Sequence, residues 1–199
     1  EGLYGMWAEL QRRHPGLIID NCSSGGRRLD IEAGRYGLPL WHSDLQCEGS
    51  HPEADQLQNG GLYRWVPFHG CGNFGLEPSY AFRSAMTPGN ILCVSCTDPK
   101  TEEGMKKSVA LYRKLRPYML GDFYPLFPHS DAANVWYGYQ FNRPEQTDGF
   151  TLVFRRGQAA GETSVKLRGL DPATMYEVTN FDVEGSKTLS GRDLMDKGL

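Results

Sequence analysis

Two short segments concentrate the side chains of this sequence that can do chemistry. The first is Asp20-Asn21-Cys22-Ser23-Ser24-Gly25-Gly26-Arg27-Arg28-Leu29-Asp30, and the second is Trp41-His42-Ser43-Asp44. A carboxyl group such as Asp44, set beside Trp41 and His42 at the end of an apolar run, is placed for a pKa raised by desolvation. An acid so tuned can deliver and take back a proton near neutral pH; its bland alternative is a cap on the next turn. Asp20 closes a strand in the same way. Gly25-Gly26 lets backbone approach a ligand closely, but it lacks the spacing of a phosphate loop. Cys22 offers a nucleophilic thiol with His42, His51 or His69 as base. His42, His69, Glu48 and Asp55 are residue types that ligate metals. Neither of these last two sets has a diagnostic spacing, and both rank well below the acid. Arg28 and Asp30 can pair with each other or with a neighbouring strand.

Both segments follow short apolar runs, Leu17-Ile18-Ile19 and Leu38-Pro39-Leu40-Trp41. A continuous apolar run bounded by turn residues reads as a parallel strand buried on both faces. Groups that do chemistry in such sheets gather where the strands' carboxyl ends meet the loops. A thiol, a glycine turn, an arginine and an acid are thereby offered to one crevice. The surrounding pattern agrees: an amphipathic helix over 2–14, a strand at 17–19, a helical stretch from Leu29 to Tyr36 and a strand at 37–41. A polar loop over 45–61 follows, then strands at 62–68 and 90–94 and a helix capped by Thr101 and ended by Arg116-Pro117. Alternation of strand and helix is the mark of parallel α/β architecture.

The pattern then changes. Val135–Phe141, Gly149–Arg155, Ser164–Leu167 and Met175–Asn180 read as short antiparallel strands separated by turn signals. A boundary is expected at Pro128-His129-Ser130-Asp131, giving domains 1–130 and 131–199. Strand alternation puts Trp136 and Phe141 on opposite faces.

The chain has 199 residues, 39% of them hydrophobic, and a net charge of -3. This suits one or two globular domains and gives no electrostatic reason to bind nucleic acid or an anionic membrane. No apolar stretch reaches the length of a membrane span. Five cysteines fit no disulfide framework, and Cys93-Val94-Ser95-Cys96 reads as reduced thiols at a strand end. A reducing compartment, the cytoplasm, is the expectation. The sequence opens on Glu1 at the edge of a helical pattern, as a piece of a longer protein would. Aromatics make up 12%, which suits sugar-stacking faces and a large packed core equally.

Taken together, the two segments resemble glycoside hydrolase family 36, the microbial α-galactosidases. The family carries Cys-x-Ser-Gly-Gly-Gly-Arg-x-Asp at one barrel strand and Trp-x-Ser-Asp-Asn-x-Asp at the next. Residues 22–30 match the first with Arg27 in place of the third glycine. Trp41-His42-Ser43-Asp44 matches the second, after which Leu45-Gln46-Cys47 departs from it. The Cys22-to-Asp44 spacing, the Leu115-Arg116-Pro117-Tyr118 helix end and the β domain also fit.

The resemblance implies the C-terminal half of a (β/α)8 TIM barrel followed by an antiparallel β-sandwich domain, both incomplete. It makes Asp44 the general acid/base of a retaining mechanism. Cys22, Ser24 and Gly25 would contact the sugar in the −1 subsite, and Trp41 would wall it. Arg28 belongs to the same substrate-binding set and, with Asp30, supports the turn. The partner nucleophile lies in the family in an earlier Lys-x-Asp segment. The first lysine here is Lys100, so that carboxylate is expected to be missing and the chain alone to be inactive. The implied substrate is a terminal α-galactoside, with no cofactor, since two carboxylates suffice. Family members often form homo-oligomers. An α-N-acetylgalactosaminidase or galactosaminidase, or a non-catalytic carbohydrate-binding module using Trp136, Tyr137 and Tyr139, are the alternatives.

Overall fold

In the computed structural model, which describes residues 2–22 and 25–199, the chain forms two compact units, Glu1–Pro117 and Tyr118–Leu199. The division precedes the connector expected at 128–131, because a strand at Asp122–Pro125 already pairs with the sheet of the second unit.

In the first unit, α1 (Gly2–Arg13) buries Trp7 and ends in Arg12 and Arg13, the cations its C-terminal dipole favours. Tyr4 stacks on Tyr36 at 5.6 Å, and Gln11 donates to the Tyr36 carbonyl. α2 (Ile31–Gly34) is a single turn capped by Asp30, whose carboxylate accepts from Ala33 N–H at 2.9 Å. A 3-10 turn, Asp44–Glu48, precedes α3 (Pro52–Leu62). The sequence reading of 45–61 as loop is therefore corrected. The buried side chains of α3 include Asp55, Gln56 and Asn59, so the helix faces inward with polar groups and leaves no apolar periodicity. The strand expected over 62–68 is corrected for the complementary reason: its Leu62 and Tyr63 are the buried end of α3.

β1 (Gly72–Asn73) and β2 (Ile91–Leu92) are parallel, with α4 (Tyr80–Ser84) between them in sequence. Their ladder continues to earlier segments in chain order. Gly70 N–H donates to Pro39, Leu38 N–H to Ile19 and Asn21 N–H to Leu38, and Asp20 bridges Leu38 in parallel. Four extended segments thus lie side by side. The burial expected of Leu17 and Ile18 is not met: they are 40% and 71% exposed, and the bonds to the neighbouring segment begin only at Ile19. α5 (Pro99–Leu115) is capped by Asp98, which accepts from Lys100 and Thr101 N–H, so the cap lies three residues before the expected one.

The second unit is built on β3 (Asp122–Pro125), β4 (Trp136–Arg143) and β5 (Asp148–Arg155), antiparallel in that order. Tyr137, Tyr139 and Phe141 share one face of β4, opposite Phe154, Leu152 and Phe150 of β5. The other face carries Gln140 and Asn142, whose amides bond the backbone of Arg168 and Gly169. Both faces of β4 are consequently covered. β6 (Met175–Thr179) and β7 (Ser186–Ser190) form a hairpin, followed by α6 (Gly191–Asp196). The antiparallel expectation is met in these two small sheets. The Ser164–Leu167 segment is extended without joining either; Val165 instead exchanges bonds with Leu199.

Candidate active site

The glycine turn and the acid come together. Gly25 has a φ of +72°, a left-handed conformation glycine adopts without steric cost, and a Cβ built there would lie 3.1 Å from Oδ2 of Asp44. The carboxylate therefore rests against the bare Cα of the turn. Arg28 closes that turn from within, its Nη2 donating to the Cys22 carbonyl and its Nε to that of Asn21 at 3.5 Å. Asp20 Oδ1 accepts from Cys22 N–H at 3.1 Å and from Leu40 N–H at 3.4 Å, tying the ends of two segments. Asp20, Arg28 and Asp30 are thus tied to backbone, and Cys22 is exposed. The assignment to Ser24 falls outside the described residues.

Asp44 opens its 3-10 turn behind Ser43, whose hydroxyl accepts from Leu45 N–H. The desolvated setting expected for Asp44 is corrected: its side chain is exposed, and the buried acid of this unit is Asp55. Trp41 is half-buried, and its ring lies over Gly72, where a Cβ would come within 2.6 Å of the indole. Phe74 meets the same ring edge-on at 6.5 Å.

Beneath the acid runs a buried polar chain that the sequence did not announce. His42 Nδ1 bonds the Gly70 carbonyl, which can only accept, so this nitrogen carries the proton. Its Nε2 is left to accept from Gln46 Nε2 at 3.3 Å. The same amide donates to Cys71 Sγ at 2.9 Å, its Oε1 accepts from Gly72 N–H at 3.2 Å, and the Cys71 thiol donates to Asp55 Oδ1. Burial holds His42 below its ordinary pKa and brings His69 down to about 3. Burial raises Asp55 to about 6 and, with the Asp55 charge beside it, pushes the Cys71 thiol up. Neutral imidazoles bonded to the carbonyls of Gly70 and Val66 are structural pieces rather than bases for Cys22. Among the described residues no three His, Cys, Asp or Glu side chains are grouped to hold a metal ion. All five cysteines are free, and the expected buried pair is not met: Cys93 is half-buried and Cys96 exposed. A groove of about 320 Å³, lined by residues including Arg28, Ile31, Leu38, Trp65 and Phe68, contains neither Asp44 nor Trp41.

Residues 136–199 match the Glycosyl hydrolase family 36 C-terminal domain, and alpha-galactosidases align over the whole chain. That match places residues 136–199 in glycoside hydrolase family 36, and the rest of the chain resembles alpha-galactosidases. It is 25% identical to a probable alpha-galactosidase C of Aspergillus terreus and 25% identical to alpha-galactosidase 1 of Pediococcus pentosaceus. Both alignments span 100% of this chain, which corresponds to 27% and 28% of those relatives' lengths. Among solved structures, the galactosidase domain of the alpha-galactosidase-sucrose kinase AgaSK superposes with a TM-score of 0.79 at 18% identity. The family 36 alpha-galactosidase AgaA of Geobacillus stearothermophilus, in a complex with stachyose, superposes with a TM-score of 0.74 at 21% identity. These two likenesses span 100% and 98% of this chain and 28% of each solved one. The chain thus spans little more than a quarter of the length of the relatives it matches. No helix among the described residues is long and apolar enough to cross a membrane.

Proposed function

We propose that this chain supplies the acid/base side of a retaining α-galactosidase acting on terminal α-linked galactose. The observation that carries the reading is the contact of the Asp44 carboxylate with the Gly25 turn, which joins the two family-like motifs at one spot. The four parallel segments around residues 19–21, 38–40, 70–73 and 91–93 are then the C-terminal half of a (β/α)8 barrel, and the small antiparallel sheets belong to a C-terminal β-sandwich. Asp44 protonates the departing glycosidic oxygen. A carboxylate from the part of the protein not present here attacks the anomeric carbon. Asp44 then takes a proton from the water that cleaves the galactosyl ester. Cover by bound substrate would supply the desolvation that the exposed acid lacks. Cys22 and Gly25 border the sugar, Trp41 forms a wall, and Arg28 acts by holding the turn. Five free thiols, three of them exposed, support a cytoplasmic setting.

The test is Asp44→Asn in the full-length protein, assayed on α-galactosides and on α-N-acetylgalactosaminides. Turnover of galactosides is expected to fall by about 10²–10⁴ while sugar binding persists. Unchanged turnover and binding would favour a carbohydrate-binding module. Preference for the N-acetylated sugar would redirect the assignment to the family's other activity, for which the Arg27 and Leu45-Gln46-Cys47 departures provide the motive. The 199-residue chain alone is expected to hydrolyse neither.

A further inference from the structure

We infer that Gln46 is a positioning residue for Asp44, an inference that rests on the acid/base reading of that carboxyl. The two residues share one 3-10 turn, Asp44–Glu48, with Asp44 exposed and Gln46 buried. Among the described residues no strand pairs with the turn itself. Between residues 38 and 41 the chain still lies beside the strand that becomes β1, but among the described residues the only backbone bond across is Gly70 N–H to the Pro39 carbonyl. Past Trp41 the chain departs, and Gly72 N–H would face inward with no acceptor. Gln46 Oε1 supplies it, standing in for the carbonyl of a strand residue that is not there. Its two amide protons are both used, one on Cys71 Sγ and one on His42 Nε2.

Every polar atom of this side chain is thus committed, and all three partners belong to segments beside the turn. Two of them, Cys71 and Gly72, lie at the start of β1. Cys71 is held in turn by Asp55 of α3, and His42 by Gly70. The turn is therefore pinned from behind by Gln46 while Asp44 meets Gly25 in front. An exposed carboxyl on a 3-10 turn would otherwise sample several orientations; a general acid must hold one. Displacement by about 1 Å can cost on the order of 10²-fold in rate. Gln46 occupies the variable position of the family's Asn-x-Asp, between the departures at Leu45 and Cys47.

The experiment uses the full-length protein and two α-galactosides, one with an alkyl leaving group and one with a dinitrophenyl leaving group. The alkoxide must be protonated as it leaves; the dinitrophenolate departs without help. Gln46→Met keeps the length of the side chain and removes all three bonds. Its kcat/KM, which reports formation of the galactosyl-enzyme, is expected to fall about 10–100-fold on the alkyl substrate and to stay near the parent value on the dinitrophenyl one. Gln46→Glu, which retains the acceptor for Gly72 N–H, is expected to recover part of the loss. Equal losses on both substrates would mean general damage and overturn the inference, as would no loss on either. Should Gln46→Met not fold, Gln46→Asn carries the same comparison. Asp44→Ala run alongside separates the two claims. Leaving-group selectivity in Asp44→Ala but not in the Gln46 variants removes the positioning role alone. Its absence in Asp44→Ala removes the acid/base reading itself.

Discussion

The two units are stabilised by different means. In Tyr118–Leu199 the central strand β4 pairs along its length with β5, and its face of Tyr137, Tyr139 and Phe141 is packed ring against ring. Phe141 alone lies 5.7 Å from Phe123, 5.8 Å from Tyr139 and 6.3 Å from Phe150. In Glu1–Pro117 the strands are two residues long, and side-chain amides do what ladders do elsewhere. Gln46 accepts from Gly72 N–H. Asn73 donates to the Phe82 carbonyl at 2.9 Å and accepts from Gly75 N–H. Gln56 and Asn59 of α3 reach Ser84 and its carbonyl. A unit held by buried area tolerates the loss of one polar bond. A unit held by polar bonds places its loops accurately, and each buried group it cannot fully satisfy carries a free-energy cost.

The largest effect expected from that contrast is in the aromatic layer. Phe141→Ala should destabilise the second unit by about 3–5 kcal/mol, seen as faster hydrogen exchange across β3, β4 and β5 in the intact chain. A loss under ~1 kcal/mol would show that the stacked rings are not what holds this sheet.

Asp55 gives the next effect, and its sign depends on pH. Burial raises its folded-state pKa from 3.8 to about 6, so the folded chain binds the proton more tightly than the unfolded one. The stability this contributes is present below the unfolded value and is lost as pH rises through the folded one. Asp55→Asn keeps an oxygen to accept the Cys71 thiol and removes the charge. Its unfolding free energy should therefore match the parent near pH 4 and exceed it by up to about 3 kcal/mol at pH 8. Denaturant titrations at the two pH values check this. A pH-independent difference would mean that the charge is not what Asp55 contributes.

Tyr137→Phe should have the smallest effect. It removes the hydroxyl that bonds His129 Nδ1 at 3.0 Å and leaves the ring in place, so a shift of about 1 kcal/mol or less is expected. Thermal melting checks it, and a larger drop would show that the second unit also depends on individual polar bonds.

The contrast also explains what could be read in advance. β4 and β5 were legible because their alternation puts aromatic residues and Leu152 on one face. β3 and β7 were not: Pro125 interrupts the first, and Ser186-Lys187-Thr188-Leu189-Ser190 is too polar to signal a strand. In the first unit α1 and α5 stood out by amphipathic spacing, whereas α3 turns Asp55, Gln56 and Asn59 inward and so resembled a loop.

The sequence by itself determined the family-like pair of motifs, the acid at Asp44 and the change from α/β to β architecture. Each of these is written in residue type and short-range spacing. Only the tertiary structure decided that Arg28 closes the turn, that His42 and His69 are neutral and structural, and that Gln46 braces the acid. Those roles come from contacts between segments as far apart as Gly25 with Asp44 and Gln46 with Gly72. Such contacts depend on which backbone groups the ladder leaves unpaired, and that is fixed by the packing of strands rather than by local sequence.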